Sequence, residues 1–86
     1  MKLKKEFVTY STDEKHLVVC TDTKMFSGIV QSNATGGQII ELMKEETTRD
    51  QVIQEMLKEY SGSEELIVKD VDKVIEKLRS IGALEE

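Results

Sequence analysis

The chain contains no proline and no tryptophan, and only one cysteine and one histidine among its 86 residues. The single Cys20 excludes an internal disulfide and favours a reducing, cytoplasmic setting. The basic start at residues 1–5 is followed by no apolar stretch with a cleavage site, so it does not resemble a signal peptide. No apolar run approaches the roughly 20 residues that span a bilayer, and we therefore expect no membrane partner.

The scarcity of histidine and cysteine also bears on chemistry. His16 and Cys20 lie four residues apart on one predicted strand, and this spacing separates them by about 13 Å. That distance is too long for a nucleophile and its base, and no other residue stands near His16 at metal-ligand spacing. We therefore predict a protein that is not an enzyme and that holds neither a metal nor a cofactor. A chain this short predicts one domain over residues 1–86, with a thin core.

Charge argues against a nucleic-acid partner. The 17 acidic residues outnumber the 12 basic ones, which gives a formal net charge of -5. An acidic surface repels phosphate backbones, although a local basic patch can outweigh the net charge. The only cluster of basic residues, within residues 2–5, lies at a terminus.

The first third of the chain has the pattern of short strands. Residues 6–10, 16–21 and 26–31 are rich in β-branched and aromatic residues, and short polar turns separate them. Gly28 interrupts the third run, which predicts a weaker strand or a bulge. Three short strands with short connections predict an antiparallel sheet.

From Asn33 onward the apolar period becomes helical. Thr35 and Gln38 fit a capping box at the start of the first helix, and Thr48 and Gln51 fit a second box at the start of the next. A Ser-Gly-Ser segment separates the second helix from the third. The predicted fold class is therefore α+β and winged-helix-like: a three-stranded antiparallel sheet followed by three helices, in the order β-β-β-α-α-α.

The third predicted helix carries more apolar residues than one buried stripe needs. The expected stripe has alternating spacings of three and four and consists of Ile67, Val71, Val74, Leu78 and Ile81. Val68 and Ile75 lie seven residues apart on its flank. Either a broad stripe covers a broad core, or this flank lines a groove for a partner.

The third predicted strand allows a similar choice. Phe26, Ile29 and Val30 fit a core strand in which Gly28 forms a bulge. If the strand instead lies at the edge of the sheet, its free backbone donors and acceptors can pair with an incoming strand.

The order and spacing of several segments resemble the PqqD family. Residues 33–36, Asn-Ala-Thr-Gly, and the following Ile-Ile-Glu-Leu-Met at residues 39–43 are similar to that family's Asn-x-Thr-Gly-x-x-Ile-Trp-x-Leu-Leu segment. The match continues through Thr48, Tyr60 and the Gly-Ala-Leu at residues 82–84, and covers roughly residues 5 to 85. Ile40 replaces the family's frequent tryptophan.

The resemblance implies a recognition element for ribosomally made, modified peptides. Members of the family bind the leader segment of a precursor peptide and present the precursor to a separate modifying enzyme, often a radical SAM enzyme. The resemblance also implies that the leader is held as an added strand on the third strand, with the third helix as the opposite wall. The departures leave open which precursor is bound and whether the product is PQQ.

The reasoning from residues and the resemblance meet at one predicted site. An edge strand beside an apolar helix flank is what β-strand addition requires. The predicted strand side consists of Phe26, Gly28, Ile29, Val30 and Gln31. The predicted helix wall consists of Val68, Asp72, Ile75 and Arg79.

Two other functions remain open from the sequence. A winged-helix DNA-binding regulator would need a basic recognition helix, but the lysines of the third helix are balanced by acidic residues within the same helix. A purely structural subunit of a modifying-enzyme complex is the other alternative.

Overall fold

The computed structural model describes all 86 residues. The chain forms five strands and three helices, in the order β1 (Lys2–Leu3), β2 (Phe7–Ser11), β3 (His16–Cys20), β4 (Ile29–Ser32), α1 (Ala34–Leu42), α2 (Arg49–Glu59), α3 (Glu64–Ser80) and β5 (Leu84–Glu85). Strands β2, β3 and β4 form an antiparallel sheet in that spatial order. The predicted α+β architecture, a three-stranded sheet followed by three helices, is confirmed. None of the helices combines the length and the apolar character needed to cross a membrane.

The two ends of the chain pair with each other, which the sequence did not reveal. Leu3 of β1 lies opposite Leu84 of β5, and both side chains are buried. The Leu3 N–H also donates to the carbonyl oxygen of Met43 at 2.7 Å, just after α1. Strands of two residues are too short to show a period, so only the tertiary structure identifies them.

The sheet is apolar on both faces. Toward the helices it presents Phe7, Val18, Cys20 and Val30, all of which are buried. On the other face one row of paired residues, Val8–Val19–Ile29, crosses all three strands. This division follows from the alternation of side chains along each strand.

The third strand is shorter than predicted, because residues 26–28 lie in the connection between β3 and β4. Phe26 precedes β4, and its ring packs against that of Phe7 with the centroids 6.3 Å apart. Gly28 has a φ of 153°, which side-chain-bearing residues rarely adopt, and a Cβ at this position would lie 3.3 Å from the Phe26 ring. The glycine therefore lets the chain turn tightly around the phenylalanine into β4.

Helix α1 begins at a different cap from the one predicted. The Asn33 side-chain oxygen accepts a hydrogen bond from the Gly36 N–H at 2.8 Å, and Thr35 lies within the first turn. Asn33 follows the last residue of β4 directly, so its extended backbone serves both as the exit from the strand and as the cap. The second capping box is confirmed, with Thr48 and Gln51 bonding reciprocally at the start of α2.

Helix α1 lies at the centre of the molecule and contacts β3, β4, α2 and α3. Its Ile39 is fully buried within a core of 17 apolar residues. A close approach to the sheet is possible because Gly37 has no side chain: a Cβ there would overlap the ring of His16 at Nδ1. Glycine at this position lets the helix and β3 pack closely.

The buried stripe of α3 differs from the predicted one. Its buried residues are Ile67, Val71, Ile75 and Leu78, whereas Val74 is half-buried. The prediction that Ile75 lies on the flank and Val74 in the stripe is therefore wrong. Val74 and Ile75 project to opposite sides of a line drawn through Val71 parallel to the axis of α3. The positions of the sheet and α2 therefore decide which of the two side chains is buried.

Candidate functional site: a cleft beside a free strand edge

Strand β4 is an edge strand, since it pairs only with β3. The hydrogen bonds between β2 and β3 determine which backbone groups of β4 remain free. The Thr21 N–H donates to the Glu6 carbonyl at 2.6 Å, and the Thr12 N–H donates to the Lys15 carbonyl at 2.8 Å, at the two ends of the β2–β3 pair. Bonded and non-bonded residue pairs alternate along antiparallel strands. The odd-numbered residues of β3 therefore direct their backbone groups to β2, and the even-numbered ones to β4.

The same alternation fixes the free donors of β4. Val18 lies opposite Val30, so Val30 and Ser32 direct their backbone groups to β3. Ile29 and Gln31 consequently direct their N–H and carbonyl groups to the open edge. Their side chains lie on the outer face of the sheet, where Ile29 is 63% exposed. An added strand can therefore bond to Ile29 and Gln31 without disturbing the existing ladder.

A cleft of about 150 Å³ lies between this edge and α3. An apolar cavity of that order can hold a group the size of benzene. Ile40 of α1 forms the floor, and Leu78 adds apolar surface at the base of the α3 wall. The full lining consists of Val30, Gln31, Ser32, Ile40, Lys73, Val74, Lys77 and Leu78.

The α3 wall of this cleft lies on the opposite side of the helix from the predicted one. At 3.6 residues per turn, Val74 and Lys77 project to one side of the buried stripe, and Val68, Asp72 and Arg79 to the other. Val68 instead borders a shallow surface depression with Glu64. The predicted helix wall therefore does not face β4, and Ile75 lies in the core between the two sides.

Asp72 is engaged with α2. Its carboxylate accepts two hydrogen bonds from the Arg49 guanidinium, at 2.6 and 3.1 Å. The hydrogen bond and the positive charge of Arg49 lower the pKa of Asp72, and the same pairing raises the pKa of Arg49. This exposed pair joins the start of α2 to the middle of α3, away from the cleft.

Arg79 is engaged with the C-terminal residue. Its guanidinium donates to both oxygens of the Glu86 side chain, at 3.1 and 2.5 Å. The hydrogen bonds lower the pKa of Glu86 and raise that of Arg79. Arg79 therefore holds Glu86 against α3 in this structure.

The residues considered for chemistry lie apart. Nδ1 of His16 is 3.2 Å from the Ser11 hydroxyl, and the buried Cys20 thiol donates to the Asp22 carbonyl at 3.2 Å. The cavity beside His16 measures about 10 Å³, which is room for about one water molecule. No group of three or more histidine, cysteine, aspartate or glutamate residues is placed to hold a metal ion.

Sequence reasoning missed six of the eight lining residues of the cleft: Ser32, Ile40, Lys73, Val74, Lys77 and Leu78. In the sequence, Ile40 is distinguished only by its place at the family's frequent tryptophan. Acidic residues of the same helix balance Lys73 and Lys77 in number, although the spacing of four places the two lysines on one helix face. No local pattern indicates that this face borders β4.

Comparisons with known proteins agree with this architecture. The chain aligns over 99% of its length with a structure described as TbiB1 in complex with the TbiA(beta) leader peptide, at 20% identity, a TM-score of 0.78 and 95% coverage of that chain. A lasso peptide synthetase B1 complexed with the leader peptide matches over 99% of this chain and 96% of its own, at 18% identity and a TM-score of 0.74. No curated protein matches significantly.

A family model identifies the chain more directly. The model described as coenzyme PQQ synthesis protein D (PqqD) matches residues 8–84. This range includes all three helices, and it includes every residue of the three-stranded sheet except Phe7. The match covers far more than half of the chain. The resemblance drawn from the sequence is thereby confirmed, and the chain belongs to the PqqD family.

Proposed function

We propose that this protein is a non-catalytic peptide chaperone that binds the leader segment of a ribosomally made precursor peptide. The observation that carries the proposal is the free edge of β4 beside an apolar cleft. The leader adds a strand antiparallel to β4, and backbone hydrogen bonds to Ile29 and Gln31 supply affinity that tolerates sequence changes. The cleft supplies specificity.

The register of β4 determines how such a strand would sit. The peptide residues opposite Ile29 and Gln31 form the hydrogen-bonded pairs, and their side chains lie on the outer face. The residue opposite Val30 lies between them and directs its side chain to the inner face, toward Ile40 and Val74. One apolar peptide side chain therefore fills the cleft.

Relatives in fold support the choice of ligand. Both of the solved structures described above contain a leader peptide. Membership of the PqqD family supports a partner that modifies the precursor, and we propose a radical SAM enzyme as that partner. The assignment to one domain and to the cytoplasm stays a prediction.

Amide hydrogen exchange tests the proposal directly. The probe is a synthetic peptide with the leader sequence of a precursor encoded beside this protein's gene. We expect the amides of Ile29 and Gln31 to exchange rapidly in the free protein and slowly in the complex. The amides of Val30 and Ser32 bond to β3 and should be protected in both states, which makes them internal controls. Binding that leaves Ile29 and Gln31 unprotected would contradict strand addition.

Calorimetry separates the alternatives. A single added strand makes a small interface, so we expect a Kd on the order of 0.1–10 μM for the leader. We expect no saturable binding to duplex DNA at physiological salt, because the net charge is -5. Salt-dependent micromolar binding to DNA would favour the winged-helix regulator. An effect on the modifying enzyme without any leader binding would favour the structural subunit.

A further inference from the structure

The cleft beside β4 has an apolar floor and a cationic rim. Lys73 and Lys77 are both exposed and both line the α3 wall. Neither lysine takes part in an ion pair. The lining of the cleft contains no aspartate or glutamate. Two unpaired cations thus border an apolar cleft on a chain in which acidic residues outnumber basic ones.

The acidic residues of α3 near this rim form no ion pair with Lys73 or Lys77. Asp70 and Glu76 each stand three residues from Lys73, yet no carboxylate oxygen lies within 4.0 Å of either lysine nitrogen. Asp72 is held by Arg49 on the other side of the helix. Asp70 lies one turn before Val74 on the same side of α3, but outside the lining of the cleft. The lining itself carries only positive charge and is therefore complementary to an acidic ligand.

The spacing of the two lysines matches that of a strand. Residues four apart on a helix are separated by about 6 Å along its axis. Side chains that face the same side of a strand repeat every second residue, or about 6.6 Å. If the residue opposite Val30 fills the cleft, the peptide residues two positions before and after it also face α3. Each lies about 6.6 Å from the central residue and the two lie about 13 Å apart, so the flexible lysine side chains reach them by extending outward from their spacing of about 6 Å.

We propose that the cleft selects strands in which an acidic residue lies two positions from the apolar residue that enters the cleft. Lys73 and Lys77 are the specificity-determining residues. This inference rests on the proposed function, because it assumes that a peptide strand adds to β4. It names a property of the peptide that strand addition alone does not require.

Selection from a displayed library of random peptides tests the inference. The wild-type protein is compared with the double variant Lys73→Glu/Lys77→Glu. The matched control is Lys5→Glu/Lys15→Glu, which makes the same change in net charge at exposed, unpaired lysines outside the cleft. We expect wild type and control to enrich aspartate or glutamate two positions from an apolar residue, and the cleft variant to enrich lysine or arginine there.

One selected peptide and its Glu→Gln form then complete a double-mutant cycle by calorimetry. With the wild type we expect the affinity to fall about 2- to 5-fold for each carboxylate removed, the range for exposed ion pairs. With the cleft variant the Glu→Gln change should not weaken binding. Circular dichroism checks that both variants fold.

The outcomes distinguish the two proposals. Peptides that protect the amides of Ile29 and Gln31 but show no acidic preference would overturn the inference and leave strand addition standing. An equal change of preference in the Lys5/Lys15 control would also overturn it, because net charge would then be the cause. Failure to enrich any peptide, or enrichment of peptides that leave these amides unprotected, would overturn strand addition itself.

Discussion

Val30 of β4 and Val74 of α3 line the same cleft from opposite walls, with Ile40 of α1 beneath them. The neighbouring Ile75 points into the core instead, where it is 5% exposed. These two adjacent residues of α3 therefore differ in role. Ile75 packs α3 against the core, and Val74 borders the space that an added strand would enter.

Substitution at these two positions should have opposite consequences. Val74→Asp should fold, at a cost of about 1 kcal/mol in the free energy of unfolding, and should weaken leader binding at least about 10-fold, because the new carboxylate would be desolvated against an apolar peptide side chain. Ile75→Asp should unfold the protein, since an unpaired buried charge costs several kcal/mol in a domain of marginal stability. Circular dichroism and calorimetry measure the two effects. Normal binding by a folded Val74→Asp variant would exclude this cleft.

Proline substitutions test the orientation of the β4 backbone. Gln31→Pro removes a donor from the open edge and should leave the sheet intact, because Val30 before it is already in an extended strand. We expect about a 10-fold loss of leader affinity with little change in the melting temperature. Val30→Pro removes a donor to β3 and should lower the melting temperature. The reverse pattern would mean that the register is shifted by one residue.

The cap of α1 can be tested by a pair of alanine substitutions. Asn33→Ala should lower the free energy of unfolding by about 1 kcal/mol, because the Gly36 N–H loses its acceptor. Thr35→Ala lies inside the first turn, makes no cap hydrogen bond and should change stability by less than about 0.5 kcal/mol. Urea denaturation measures both. An equal loss of stability in the Thr35→Ala variant would instead support the capping box of Thr35 and Gln38 that the sequence predicts.

Close packing between Gly37 and His16 predicts a coupled pair. Gly37→Ala places a methyl group against the His16 ring and should cost about 1–3 kcal/mol. In the His16→Ala background the same change should cost much less, because the imidazole is gone. A double-mutant cycle by thermal or urea unfolding gives the coupling. If the free-energy changes of the two substitutions are additive, the contact between Gly37 and His16 does not cause the loss of stability.

The Arg49–Asp72 pair predicts a dependence on pH. Arg49 lowers the pKa of Asp72 in the folded protein, so the ionised carboxylate stabilises the fold. This contribution is present above the unfolded-state pKa of about 3.9 and is lost as the pH falls through the lower folded-state pKa. Asp72→Asn should therefore melt below the wild type at neutral pH, and the difference should vanish in strong acid. Since the pair is exposed, the neutral-pH difference should also shrink in high salt. A difference in melting temperature that persists in acid would mean that the variant is destabilised by a loss of packing.

Local pattern by itself determined the order of the three sheet strands and the three helices. The β-branched and aromatic content of residues 6–10 and 16–21, the change of period after Asn33 and the Thr48–Gln51 box all correspond to elements in the structure. These features depend on preferences of single residues and on contacts between residues near each other in sequence, such as caps. The order and spacing of the same residues were also sufficient to indicate the PqqD family.

Tertiary structure alone decided which side of α3 faces the sheet edge. A stripe containing Ile67, Val71 and Leu78 can be completed by either Val74 or Ile75, because both lie within about 60° of the helix line through Val71. The choice depends on how α1 places α3 relative to β4, and no residue of α3 encodes that placement locally. The same holds for the pairing of Leu3 with Leu84, and for the cationic rim of Lys73 and Lys77, because each arises where segments distant in sequence meet.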